Sequence, residues 1–220
     1  DQLPLLRQAD LEIVEELRDP LHGLIDQHLV MRKGGMQPGN ALIVTKPVGT
    51  GTLFAADMRH EARGRWISDA LANMTQSNRA GAECLHAHGA MACTDITGFG
   101  LLGHLVEMVK ASSVDAEVDL ASVPYLDGAL ETVAKGIMSS LQPQNLRLRR
   151  AVRELERISG DPRYPLLFDP QTAGGLLASV PHDRAEACLE DLHRLGYARA
   201  AVVGTVLPES NHPEPITILS

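Results

Sequence analysis

The chain predicts an α+β layered domain with helices packed on a mixed β-sheet, on one face of it. Three observations carry that class. Short apolar runs bounded by turn residues alternate with longer segments whose apolar positions recur every 3.6 residues. The alternation is irregular, without the repeated strand–helix unit of about 30 residues that builds a doubly wound sheet. The 220 residues are 44% hydrophobic but only 3% aromatic, so a sizeable core must be built from Leu, Val, Ile, Ala and Met.

Taken in order, residues 1–19 set Leu5, Leu6, Ile13, Val14 and Leu17 among acids and read as a short helix or arm. Asp19-Pro20 breaks it, because proline drives the residue before it out of the helical region. Residues 20–33 have no clean period, and Gly34-Gly35 and Gln37-Pro38-Gly39-Asn40 are turn chemistry. The domain boundary is therefore placed there, with residues 1–38 as an N-terminal arm and 39–220 as the domain. Residues 41–45 are β-rich and bounded by turns, a buried strand. A loop over 46–52 feeds a helix from about residue 53, and residues 65–89 line up Ile67, Leu71, Met74, Ala82 and Leu85 as one helical stripe. A strand over 91–95 precedes a helix over 101–112, with Leu102, Leu105, Val106 and Val109 inward. A strand over 117–120, helices over 126–135 and 145–158, and a turn-rich stretch over 166–175 follow. A strand over 176–180, a helix over 183–195 and strands near 200–206 and 215–219 complete the series.

A net charge of −8 excludes a general binder of nucleic acid or of anionic membranes, which needs a basic surface. The basic cluster Arg147, Arg149, Arg150 and Arg153 runs into Glu154 and Glu156 and reads as a solvated helix face. Cys84, Cys93 and Cys188 are odd in number and have no CxxC spacing, and no signal peptide is expected ahead of them. A reducing, cytoplasmic setting is expected, with the cysteines as small buried residues. No apolar run approaches the roughly 18 residues of a membrane span.

Ala92-Cys-Thr-Asp95-Ile-Thr-Gly98-Phe-Gly100-Leu-Leu-Gly-His104 is the stretch richest in chemistry. A carboxylate ends a strand, two glycines follow, and a helix begins. Glycines let a backbone approach a ligand, helix starts attract anions, and a carboxylate there can share a magnesium ion with a phosphate. The same Asp95 can instead cap the next helix, a reading the local pattern alone slightly favours. In Asp169-Pro-Gln171-Thr172-Ala-Gly174-Gly175, a tight turn competes with a pocket lined by Gln171 and Thr172. Lys46, between a strand and a Gly-Thr-Gly loop, is either a surface lysine or a mobile charge for a phosphate. Asn78 either bridges a helix to a loop or belongs to the site. The nine histidines show no zinc spacing, and there is no Walker loop or nucleophile elbow.

Leu42-Ile-Val-Thr-Lys46-Pro-Val-Gly-Thr-Gly51, Met74-Thr-Gln-Ser-Asn78, the Asp95 block through Met108, and Phe168-Asp-Pro-Gln-Thr-Ala-Gly-Gly-Leu-Leu177 together resemble selenophosphate synthetase (selenide, water dikinase). They come in that family's order across residues 39–206, in its C-terminal domain, which has the fold of the aminoimidazole ribonucleotide synthetase C-terminal domain. The resemblance implies a transferase that converts ATP, selenide and water into selenophosphate, AMP and orthophosphate. It implies Mg2+ as cofactor, with Asp95 as a metal ligand, and this now outranks simple capping. Thr94, Thr97, Gly98 and Gly100, with Lys46, Asn78, Gln171 and Thr172, are the implied nucleotide-binding candidates. A homodimer of the intact enzyme and no nucleic-acid or membrane partner are also implied.

The family's glycine-rich catalytic Cys or Sec segment, its nearby lysine and its ATP-binding domain have no counterpart in these residues; residues 20–38 resemble a remnant of that domain's exit. Ala173 stands where the family usually has serine. The expectation is the C-terminal half of the enzyme, inactive alone, with no catalytic residue of its own. The alternative is a non-catalytic partner-binding or oligomerisation module of the same fold. A purine-synthesis synthetase fits the Asp95 block less well.

Overall fold

Four consecutive apolar residues, all buried, make Ala41–Val44 the strand β1, and burial on both faces is what a central strand demands. The structure is a computed structural model that describes residues 30–220, so the arm expected over 1–19 lies outside the described residues. After β1 come α1 (Thr50–Asp57), α2 (Gly64–Thr75), α3 (Arg79–Ala87), β2 (Ala92–Asp95), α4 (Gly100–Ser112) and β3 (Asp115–Asp119). The short helices α5 (Ala129–Ala134), α6 (Gln142–Asn145) and α7 (Leu155–Ile158) follow, then β4 (Leu176–Val180), α8 (His182–Arg194), β5 (Ala201–Leu207) and β6 (Ile216–Leu219). The strands form one sheet in the order β2-β4-β1-β5-β3-β6. Only β3 and β6 run parallel, so the sheet is mixed, as the sequence predicts.

Side chains alternate across a strand, and the core divides accordingly. Leu42 and Val44 join the cluster built on α4, including Leu102, Leu105 and Val109. Ala41 and Ile43 join another, with Leu85 of α3 and Cys188 and Leu192 of α8. Helices therefore cover both faces rather than one. Residue 36 belongs to this packing: Met36 is buried, and the Arg32 carbonyl accepts the Cys93 N–H of β2 at 2.8 Å.

Several expected elements differ. The helix expected over 65–89 is two helices, because Gln76 turns extended (ψ 119°) and Thr75 Oγ1 bonds back to the Leu71 and Ala72 carbonyls. The halves serve different clusters: α2 buries Trp66 and Ala70, leaving Leu71 exposed, while α3 buries Cys84 and Leu85. The helix expected over 145–158 is broken into α6, a 3-10 segment (Leu146–Ala151) and α7. Between the last two, Val152 is extended and bridges Ile216. Arg147, Arg149 and Arg150 are exposed, but Arg153 pairs with the buried Asp115 of β3 and is no solvated face residue. Helix α1 starts three residues earlier than expected, and 126–135 keeps helix only over Ala129–Ala134. Among the described residues no helix is long and apolar enough to cross a membrane.

Candidate functional site

Strand β2 is buried through Thr94 and emerges at Asp95. The next residues are pinned by their backbone. Ile96 N–H donates to the Gly175 carbonyl at 2.8 Å, and the Thr97 carbonyl accepts Gln171 N–H and Gly100 N–H, each at 3.0 Å. The Gly98 carbonyl accepts Asn145 Nδ2–H at 2.8 Å. Gly100 sits at φ +70°, and a Cβ there would lie 2.8 Å from the Leu167 carbonyl oxygen, so the turn demands glycine. Helix α4 opens with Phe99 at its N-cap and no side-chain cap. Asp95 therefore does not cap it, and the capping reading fails. Among the described residues its exposed carboxylate has no hydrogen-bond or ion-pair partner, and the N–H groups of Gly98 and Phe99 find no acceptor.

The second turn is built inward. Gln171 is buried, and its Oε1 accepts Gly49 N–H at 2.9 Å, Thr50 N–H at 3.2 Å and Thr50 Oγ1–H at 3.2 Å. Its Nε2 donates to the Asp169 carbonyl at 2.7 Å and to Asp169 Oδ2 at 3.0 Å. Asp169 Oδ2 also accepts Gly51 N–H at 3.0 Å. These two side chains thus fill the orphan donors at the start of α1, a place where an anion would otherwise bind. Burial pushes the Asp169 carboxyl up to about 7, against the opposing pull of the Thr52 N–H, the Gln171 amide and the Gly51 N–H. Thr172 remains exposed, its N–H bonded to Thr50 Oγ1 at 3.0 Å.

Lys46 is not a surface lysine: it is 1% exposed, and its ammonium donates to the Asn73, Gln76 and Ala173 carbonyls at 3.1, 3.0 and 2.9 Å. All three of its protons are engaged, and burial lowers its pKa. Asn78 bridges the start of α3 to the second turn by donating to the Gly174 carbonyl at 2.9 Å. A Cβ on Gly174 would lie 2.2 Å from the Ile96 oxygen, so the two turns pack backbone to backbone. Thr94 is buried, its hydroxyl on the Asp95 carbonyl at 3.3 Å. The candidates thus divide into an inward frame (Lys46, Thr94, Gly100 and Gln171 buried, Asn78 half-buried) and a more open group (Asp95, Gly98 and Thr172 exposed, Thr97 half-buried).

Sequence reasoning missed three members of this region. Asp169 was present in the second motif as a turn residue only. His104 is 4% exposed, and its Nε2 accepts Thr97 N–H at 3.1 Å, with Thr97 Oγ1 at 3.2 Å and Glu107 Oε2 3.3 Å from Nδ1. Burial lowers its pKa, opposed by the charges of Glu107 and Asp95. A polar residue inside the apolar run of α4 was the available signal. Asn145, which also donates to the Phe168 carbonyl at 3.0 Å, gave none, because its partners are far away in the chain. Among the described residues no group of three or more His, Cys, Asp or Glu side chains is arranged to hold a metal. A single hard carboxylate oxygen beside free N–H groups fits one ligand position of magnesium, with water and phosphate supplying the rest.

Comparison with known proteins gives this geometry a context. Selenide, water dikinase of Porphyromonas gingivalis is 38% identical over 184 residues, 83% of this chain and 52% of the relative. That of Clostridioides difficile is 35% identical over 198 residues, 90% of this chain and 56% of the relative. The chain thus spans about half the length of the curated relatives it matches. The fold is shared with the hydrogenase maturation protein HypE in complex with ATP, at a TM-score of 0.53 and 19% identity, over 81% of this chain and 45% of that one. The family model described as AIR synthase related protein, C-terminal domain, matches residues 37–212. With the dikinase relatives, that match bears out the resemblance to the C-terminal domain of selenophosphate synthetases, and the chain belongs to the AIR synthase related protein C-terminal domain family.

Proposed function

We propose that this chain is the C-terminal half of a cytoplasmic selenophosphate synthetase, one wall of a magnesium–ATP site whose enzyme turns ATP, selenide and water into selenophosphate, AMP and orthophosphate. The observation that carries the reading is the exposed Asp95 carboxylate, which among the described residues has no hydrogen-bond or ion-pair partner and lies beside the Gly98 and Phe99 N–H groups, likewise without an acceptor there. Asp95 would hold magnesium, which neutralises phosphate charge and positions the triphosphate for transfer. Gly98 and Phe99 N–H groups, with the Thr97 and Thr172 hydroxyls, would meet phosphate oxygens. Lys46, Asn78, Thr94, Gly100 and Gln171 would serve by keeping the two turns in place. Residues 1–38 would be the arm leading out of an ATP-binding domain and 39–220 the synthetase C-terminal domain, with dimerisation belonging to the intact enzyme.

One carboxylate cannot organise a metal-bound triphosphate, so the 220 residues alone are expected to bind ATP weakly and to turn over none. Titrating the chain with Mn2+–ATP and following amide signals tests this. Paramagnetic broadening should centre on residues 95–98 and vanish in Asp95→Asn. Broadening elsewhere, or robust selenide-dependent AMP release by the chain alone, overturns the reading.

A second reading, a partner-binding module, draws on the exposed Met58, Phe99, Met138 and Leu141, the first and last two of which line a groove of about 340 Å3 with Thr172. Light scattering separates them: a stable oligomer of the isolated chain favours the module.

A further inference from the structure

Two backbone groups of the turn after Asp95 are held by buried side chains. Thr97 N–H ends on His104 Nε2, and the Gly98 carbonyl ends on Asn145 Nδ2. We propose that His104 and Asn145 are positioning residues for the metal–nucleotide site, holding the peptides on either side of the Thr97–Gly98 unit, at the Thr97 N–H and the Gly98 carbonyl, so that the Asp95 turn is set before any ligand arrives.

The proposal rests on the function proposed above. The chemistry of each side chain suits the task. Because His104 Nε2 accepts the Thr97 N–H, the imidazole proton sits on Nδ1, which faces Glu107 Oε2 at 3.3 Å. Glu107 is itself anchored by Lys33 Nζ at 2.7 Å. The carboxylate near Nδ1 favours the tautomer that leaves Nε2 free to accept from Thr97. Asn145 divides its amide between the Gly98 and Phe168 carbonyls, tying this turn to the segment that runs into Asp169. Both side chains are themselves buried, so each acts through the turn and not as a ligand. A loop that must order itself on binding loses affinity to that ordering, and a preformed one does not.

Mn2+–ATP titrations of the whole chain, read by broadening of the residue 95–98 amide signals, provide the test. Leucine at 104 and alanine at 145 remove the holding bonds. Glutamine at 104 places an acceptor where Nε2 stands and restores one of them. His104→Leu and Asn145→Ala should each weaken binding about tenfold, the factor that 1.4 kcal/mol represents. His104→Gln should stay within about twofold of the parent. In the ligand-free protein the Thr97 amide proton should move upfield in His104→Leu and hold its place in His104→Gln. Asn145→Ala keeps the test open if His104→Leu does not fold. Parent-like affinity in Asn145→Ala, or equal loss in His104→Gln and His104→Leu, overturns the positioning role. Absence of broadening in the parent chain, or broadening that survives Asp95→Asn, overturns the underlying site as well.

Discussion

Asp169→Asn isolates a charge that the fold buries without fully compensating. Asp169 is 0% exposed; its Oδ2 accepts Gly51 N–H and Gln171 Nε2–H at 3.0 Å each, while Oδ1 has no hydrogen-bond partner among the described residues. Burial raises its carboxyl from 3.8 to about 7. A carboxyl raised in the folded state binds a proton that the unfolded chain has already released, so stability falls as pH rises from about 4 to about 7. Three units at about 1.36 kcal/mol each set the full penalty at about 4 kcal/mol above pH 7. Asparagine keeps an acceptor for Gly51 and Gln171 and carries no charge. Urea unfolding of both proteins at pH 5, 6, 7 and 8 removes the contribution of other groups by subtraction. The variant should gain on the parent by about 1 kcal/mol per pH unit between 5 and 7, then by nothing further. A stability difference independent of pH would refute the argument that Asp169 is charged at a cost above neutrality.

Three other outcomes follow from the same geometry. Lys46→Met leaves the Asn73, Gln76 and Ala173 carbonyls without their shared donor, and at about 1–3 kcal/mol for an acceptor left unsatisfied, unfolding in urea should show a loss of at least about 2 kcal/mol; a loss under about 1 kcal/mol would return Lys46 to a peripheral role. Cys84, Cys93 and Cys188 are buried, and burial pushes the Cys93 and Cys188 thiols up to about 12. An aromatic disulfide reagent should therefore find no fast thiol in the folded chain and all three in urea; an immediate reaction in buffer would contradict this. Asp95→Asn should change stability by less than about 0.5 kcal/mol, while Gln171→Ala, which strips the start of α1 of its acceptor, should cost about 2–4 kcal/mol. Equal melting temperatures for those two variants would erase the distinction between frame and outward groups.

The parts of the fold that were legible are those whose signal is local. Ala41–Val44 and Leu176–Val180 are apolar runs between turns, and α4 carries a long apolar face, so each reads directly from its neighbours in the chain. The break between α2 and α3 was hidden because the apolar stripe continues through Met74 and Ala82 although the two helices serve different clusters. Periodicity reports that a residue is buried, not against what. The same limit hid the meaning of Lys46 and Gln171. The Lys46 partners lie 27 to 127 residues away and the Gly49 and Thr50 partners of Gln171 Oε1 lie 121 to 122 away, and no window of sequence contains both ends of such bonds. Asp95 was legible as a candidate, but the choice between cap and ligand needed the position of α4, which starts at Gly100, too far on for the carboxylate to cap it.

Frame and outward groups answer to different physics, which explains how one short motif can hold both. Gln171, Asp169 and Lys46 bury polar atoms, and a buried polar atom is costly unless paired, so each is bound to partners from another segment, Asp169 through Oδ2. Those pairings draw residues 45–52, 95–100 and 169–175 into one place. Asp95 contributes nothing to that assembly, because its carboxylate is in water and takes no partner among the described residues. A carboxylate presented on a turn that glycine, Asn145 and His104 all hold in shape has its reason outside the chain's own stability. Stability and binding should therefore respond to different residues of the same turn. Substitutions at the frame act on both, and substitution at Asp95 acts on binding alone.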